Sequence, residues 1–276
     1  MRPSVEYPFH SLEDYLTSKR LDVDGVLDDG WGAHFPVKGR EIEAVIVFVD
    51  IAAFSRRTYD LTPIETLIFI NNFFAWISAE GLRGRPGIVD KYIGDEIMVI
   101  FSTEFGSKDP FHDALVSARW IAESDVLAFC PHIGLAHGRV CVGYVGTPLR
   151  YNCSVFGRPV ATASRCCAVR SDTHCSSIVL PAETWKGRNL DDYFKPTKRD
   201  HPTEGMIETP HDWKVDPPRM VSVKNMPDLE IVKIVSDLMH WPSLPAEGRA
   251  KLAFEGLKKE GSFHPYRYGY EQESKD

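Results

Sequence analysis

The chain has 276 residues, 43% hydrophobic and 11% aromatic. That is enough for one large domain, alone or with extensions, and too apolar for a disordered chain. The formal charge of −7 is spread over interspersed acidic and basic residues with no Lys/Arg stripe, so nucleic acid is not an expected partner.

The six cysteines (Cys130, Cys141, Cys153, Cys166, Cys167 and Cys175) include no C-x2-C pair and no zinc-finger spacing with His. There is no cationic leader followed by an apolar run, and no stretch long enough to span a bilayer. The expectation is a reduced, soluble, cytoplasmic protein with no membrane partner.

Residues 1–40 mix aromatics, charges and glycines and are expected to form an irregular N-terminal extension. Residues 44–50, rich in Val and Ile, read as a strand that stops at Asp50. Thr62-Pro63-Ile64-Glu65 has the pattern of a capping box with Pro at the first helical position, and the apolar period after it predicts a helix from 63 to about 81. Its Phe69, Phe73, Phe74 and Trp76 read as core or dimer surface.

Residues 88–92 and 96–101 read as a hairpin turning at Gly94-Asp95. Asp109-Pro110 starts a second helix over 110–124. Residues 132–137 and 139–144 are expected to form another hairpin at Gly138, and Phe156-Gly157 leads into a third helix through 170. Strands are expected at 178–180, 220–223 and 229–235. The polar, Pro-rich 185–218 reads as a surface excursion, and a short helix is expected near 247–259. The main domain is placed at 41–236, with a C-terminal extension over 237–276. Strand, helix, hairpin, helix, strand is the order of a ferredoxin-like α+β layer with a mostly antiparallel sheet.

Asp50 and Asp95 each sit at the end of an apolar run, beside a turn. Alone, either reads as a turn or cap residue. Strand one and the first hairpin are neighbours in a ferredoxin-like layer, however, so the two carboxylates can meet there and hold divalent ions. The small-residue loop after Asp50 can turn backbone N–H groups toward phosphates.

These stretches resemble the catalytic domain of class III nucleotide cyclases, over roughly residues 41–170 and again near 220–235. The likeness is carried by Phe48-Val49-Asp50-Ile51-Ala52-Ala53-Phe54-Ser55, Lys91-Tyr92-Ile93-Gly94-Asp95-Glu96, Ile133-Gly134-Leu135-Ala136-His137-Gly138, Gly143-Tyr144-Val145-Gly146, and the run from Val155 to Arg165. The resemblance implies two divalent ions (Mg2+ or Mn2+) on Asp50, Asp95 and the Ile51 carbonyl. It places the triphosphate on the Phe54 and Ser55 backbone, Arg165 at the transition state and Lys224 on the phosphates. It also implies a head-to-tail homodimer, in which Arg165 and Lys224 reach into the partner's metal site. By themselves, Arg165 also fits a surface ion pair, Lys224 a solvated strand end, and His137 an ordinary strand residue.

Two departures bear on substrate. The family's purine-reading acidic position falls on Ser154, and its ribose-orienting asparagine falls on Ala161. Lys91 matches the lysine of adenylyl members, and Asn225 follows Lys224 where glycine is usual. With Ala161, the chain looks most like the bacterial Pycsar antiphage cyclases. The expected reaction is then cyclisation of a pyrimidine NTP, UTP favoured, to cUMP and pyrophosphate, serving a downstream cyclic-nucleotide-binding effector. Cytidylate cyclase, adenylate cyclase and a catalytically dead nucleotide sensor are the alternatives.

Overall fold

The computed structural model describes residues 8–28, 34–123, 125, 129–147, 150–169, 176–194, 198–201, 205–208, 212–224 and 226–237, with Glu255 and Lys259 beyond them. The chain enters through α1 (Leu12–Thr17), whose first turn is capped by the Ser11 hydroxyl. β1 (Val23–Asp28) and the 17-residue β2 (His34–Asp50) form an antiparallel hairpin. After a one-turn α2 (Phe54–Thr58) comes α3 (Pro63–Trp76). Both halves of its capping box close, with Glu65 N donating to Thr62 Oγ1 at 3.3 Å and Thr62 N donating to Glu65 Oε2 at 2.8 Å. A π-helical turn over Ile77–Gly81 ends it.

β3 (Gly87–Ile93) and β4 (Glu96–Phe101) are the expected hairpin. They lead to α4 (Pro110–Glu123), β5 (His132–Thr147), β6 (Arg150–Phe156), α5 (Arg158–Cys167) and β7 (Ser176–Pro181). A separate hairpin, β8 (Lys198–His201) with β9 (Gly205–Glu208), precedes β10 (Asp212–Val215), β11 (Arg219–Val221) and β12 (Leu229–Asp237).

The main sheet runs β10-β12-β7-β5-β2-β4-β3, with β1 also on β2, β6 on β5 and β11 on β12. Its pairings are antiparallel except β5 with β7. Helices cover both faces, which explains why β2 and β4 read as unbroken apolar runs. Val45, Val47, Val49, Ile97, Val99 and Phe101 pack with Phe69 and Phe73 of α3 and Leu115 of α4. Ile46, Phe48, Met98 and Ile100 face the other way, with Ala163 and Cys167 of α5 and Leu12, Tyr15 and Leu16 of α1. The α+β expectation, a mostly antiparallel sheet carrying helices, holds.

Three local expectations do not. Residues 132–144 are not a hairpin but one continuous strand. Gly138, at φ +150°, takes a backbone that side chains rarely adopt, and the strand runs on through it, paired with β2 from Asp50↔His132 to Gly39↔Gly143. The N-terminal 40 residues are not all irregular: α1 packs into the core, and β1 with the start of β2 extends the sheet as an exposed hairpin. Tyr15, fully buried, donates its hydroxyl to Glu104 at 3.1 Å and accepts from Arg40 Nε at 2.9 Å. Finally, the surface excursion includes β10, which joins the main sheet at its edge. The helix expected near 247–259 lies outside the described residues, apart from Glu255 and Lys259. No helix among the described residues is long and apolar enough to cross a membrane.

Candidate active site

The register of β2 with β4 ends at Val49↔Ile97. Asp50 is the next residue out on β2, so it lies beside Glu96 and the Gly94-Asp95 turn. Gly94 holds that turn with φ +63°, and its positive sign at the first central position is that of a type II′ hairpin. The Asp50 carboxyl lies against that of Asp95. Burial first, then hydrogen bonding with Asp95, then the charges of Asp95 and Glu96 raise the Asp50 pKa, against an opposite pull from a backbone bond with Ile51. Burial, followed by the Asp95 charge, raises Glu96 as well.

A half-buried carboxyl pressed toward its neutral form by neighbouring acids marks a place a cation fits, because the cation relieves the same repulsion. Among the described residues no group of three His, Cys, Asp or Glu side chains stands at metal-holding distance. An ion here would complete its shell with backbone, water and phosphate oxygens, as Mg2+ commonly does.

Two residues after Ile51, Ala53 adopts a left-handed conformation (φ 54°, ψ 38°) at the start of α2, and no side chain caps that helix. The N–H groups of Phe54 and Ser55 lie in its first turn, ahead of any acceptor inside the helix. Behind Asp50 the wall is closed. Cys167 is buried with its Sγ 3.2 Å from the His132 carbonyl oxygen. Burial and then the Asp50 charge raise its thiol well above the ordinary value, so it packs rather than reacts. α5 lies so close on β5 that a Cβ on Gly134 would stand 2.1 Å from the Ala163 carbonyl oxygen.

Arg165, on the last turn of α5, is half-buried and has no hydrogen-bond or ion-pair partner among the described residues. Lys224 is exposed in the turn between β11 and β12, likewise unpaired among them. Neither is brought onto the Asp50–Asp95 pair within one chain. His137 lies 3.7 Å from Glu43 and belongs to no metal-holding group among the described residues.

Lys91 and Ser154 do meet. Lys91 Nζ donates to Ser154 Oγ at 2.5 Å, joining β3 to β6. A third residue, which the sequence pattern did not single out, completes the group: Ser154 Oγ donates to Asp90 Oδ2 at 2.9 Å, and Lys91 Nζ is 3.3 Å from the same oxygen. All three line a cavity of about 560 Å3, closed on another side by Ser11, Leu12 and Glu13 of the N-terminal segment. Glu13 is held there by the Tyr144 hydroxyl at 3.1 Å. The volume falls in the range of small-molecule sites.

No family model matches the chain. An uncharacterised protein of Mycobacterium tuberculosis, Rv1320c, is 31% identical over 152 residues, covering 54% of this chain and 26% of its own length. The matched region thus spans about a quarter of that relative. Among solved structures, the adenylyl cyclase CyaB from P. aeruginosa superimposes with a TM-score of 0.54 at 18% identity, covering 71% of this chain and 95% of CyaB. The guanylate cyclase domain of RhGC from Catenaria anguillulae, in complex with GTP, gives 0.54 at 17% identity, over 71% and 98%. The chain therefore has the class III cyclase fold.

Proposed function

We propose that the chain is a nucleotidyl cyclase that converts a pyrimidine NTP, UTP in preference to CTP, to its 3′,5′-cyclic nucleotide and pyrophosphate. The observation that carries this reading is the Asp50–Asp95 carboxyl pair at the strand ends, with Asp95 on the same β3–β4 hairpin as Lys91 of the Lys91–Ser154 pocket. A bound pair of divalent ions, Mg2+ or Mn2+, would lower the pKa of the ribose 3′-OH and neutralise the triphosphate. Asp50, Asp95 and the Ile51 carbonyl would hold them.

The chain's own groups do the rest. The Phe54 and Ser55 N–H groups receive phosphate oxygens. Lys91 and Ser154 place the base. Arg165 offers fixed donors to charge growing on the α-phosphate, and Lys224 screens the departing pyrophosphate. Because Arg165 and Lys224 stay unpaired among the described residues of one chain, a head-to-tail homodimer with composite sites supports their roles. Ser154 and Ala161, in place of the purine-reading acid and the ribose asparagine, favour the smaller ring. Lys91 can donate to a uracil carbonyl but cannot accept from cytosine's amino group. In a cell the product would act in the cytoplasm as a second messenger of antiphage defence, read by a separate cyclic-nucleotide-binding effector.

The test is purified protein with equal UTP, CTP, ATP and GTP and Mn2+, products resolved by chromatography. Cyclic UMP is expected to dominate. Cyclic CMP would keep the pyrimidine class and change the base; predominant cyclic AMP or cyclic GMP would overturn it. With no cyclic product the chain would be a nucleotide-binding relative instead.

A further inference from the structure

Asp90 has no role in that scheme, yet its setting is unusual. Its side chain is 1% exposed, Oδ2 serves both Ser154 and Lys91, and Oδ1 is buried with no hydrogen-bond partner. Burial raises its pKa, against the Lys91 charge, the Ser154 and Lys91 bonds and a backbone bond with Val155. One unpartnered oxygen makes this carboxylate costly to bury, so its bonds to Ser154 and Lys91 are what hold it in place.

The backbone is bent to put it there. The β3–β4 register slips between Val89 and Lys91, leaving Asp90 as the extra residue of a β-bulge. In a regular strand, residues 90 and 91 would point to opposite faces. Across the bulge both reach Ser154, a re-aiming typical of bulges beside functional sites.

Proton counting then constrains Ser154. An ionised carboxylate only accepts and an ammonium only donates. The single Ser154 hydroxyl proton therefore goes to Asp90, and toward Lys91 and the cavity the oxygen can only accept. We propose that Asp90 is a specificity-determining positioning residue, which by taking the Ser154 proton fixes Lys91 as the donor and Ser154 as the acceptor presented to a nucleobase. This rests on the nucleotide-cyclase reading of the pocket. A fixed donor–acceptor pair separates oxo from amino bases of one ring size. Uracil and guanine present an acceptor with an adjacent ring N–H, whereas cytosine and adenine present an amino donor with an adjacent bare nitrogen. In the same pose the wrong member meets a donor with a donor and an acceptor with an acceptor.

The experiment is calorimetric titration of the full chain with UTP, CTP, ATP and GTP, Ca2+ replacing Mg2+ to suppress turnover. Wild type is expected to prefer one member of its better-bound ring class by on the order of 10-fold or more, the effect of one mismatched buried hydrogen bond. Asp90→Leu frees the hydroxyl to donate and should bring that ratio to within about 3-fold, as should Ser154→Ala. Asp90→Asn, whose amide oxygen still accepts the proton, should keep most of the preference. The Asp90→Leu/Ser154→Ala double variant should lose no more than Ser154→Ala alone. An oxo/amino ratio unchanged in Asp90→Leu overturns the proposal; if that variant does not fold, an unchanged ratio in Ser154→Ala overturns it equally. Preference for purines over pyrimidines would refute the pyrimidine assignment and leave this inference standing, while a chain that binds no nucleoside triphosphate refutes both.

Discussion

The surroundings of Asp50 favour its protonated form. Its pKa is raised from 3.8 to about 8 in the folded chain. A carboxyl raised on folding gives stability that is present at low pH and lost as pH rises through the folded value. The metal-free protein should therefore lose stability between about pH 4 and pH 8. Asp50→Asn removes that titration while keeping the shape. In chelator, the variant should melt a few degrees above wild type beyond pH 8, and the gap should close near pH 4. A variant that melts below wild type at high pH would show that the two carboxyls are not in conflict.

At this scale the sequence was uneven. Asp50 and Asp95 were visible because each ends an apolar run, so strand order alone suggested that they could meet. Asp90 was not, because a bulge leaves no mark on a two-residue period and its neighbour Lys91 draws the attention. Ser154 was singled out, but its partner could not be inferred from positions 64 residues apart.

Among the elements, the contact of α5 on β5 is the least forgiving. A Cβ on Gly134 would meet backbone atoms of the helix, 2.1 Å from Ala163 O and 2.2 Å from Cys167 N, and backbone cannot rotate away. Gly134→Ala should lower stability by about 1–3 kcal/mol and shift α5, with Arg165, off its seat. Thermal melts and turnover should therefore fall together; a melt like wild type would mean the helix has room the packing does not show. The capping box of α3 and the Pro-led start of α4 were readable because caps are local chemistry. The continuous β5 was misread, since Gly138 reads as a turn residue until its pairing with β2 is known. α1 escaped because six helical residues carry too little periodicity, although Leu12, Tyr15 and Leu16 are buried against the sheet.

For the molecule as a whole, the question is whether the proposed site draws Arg165 from a second copy of the chain. Within one chain nothing described holds the guanidinium, and α5 presents it half-exposed. Mixing inactive Asp50→Ala with inactive Arg165→Ala should restore part of the activity, because one of the two sites in a mixed dimer would be intact. No recovery after verified subunit exchange would place each site within one chain.

One hairpin, β3–β4, carries Lys91 and Asp95 four positions apart, with the bulge and the turn at either end of that span. The group that would feel the base and the group that would feel the ion thus ride on the same short piece of backbone, so a shift of one is expected to move the other. Free energy is then exchanged between the two occupants, and such exchange is reciprocal: if the base alters ion affinity, the ion must alter base affinity by the same factor. Selectivity would not be a fixed constant of this protein. The preference among nucleotides, measured first at scarce and then at saturating Mn2+, should change by the ratio of the ion affinities measured with each nucleotide bound.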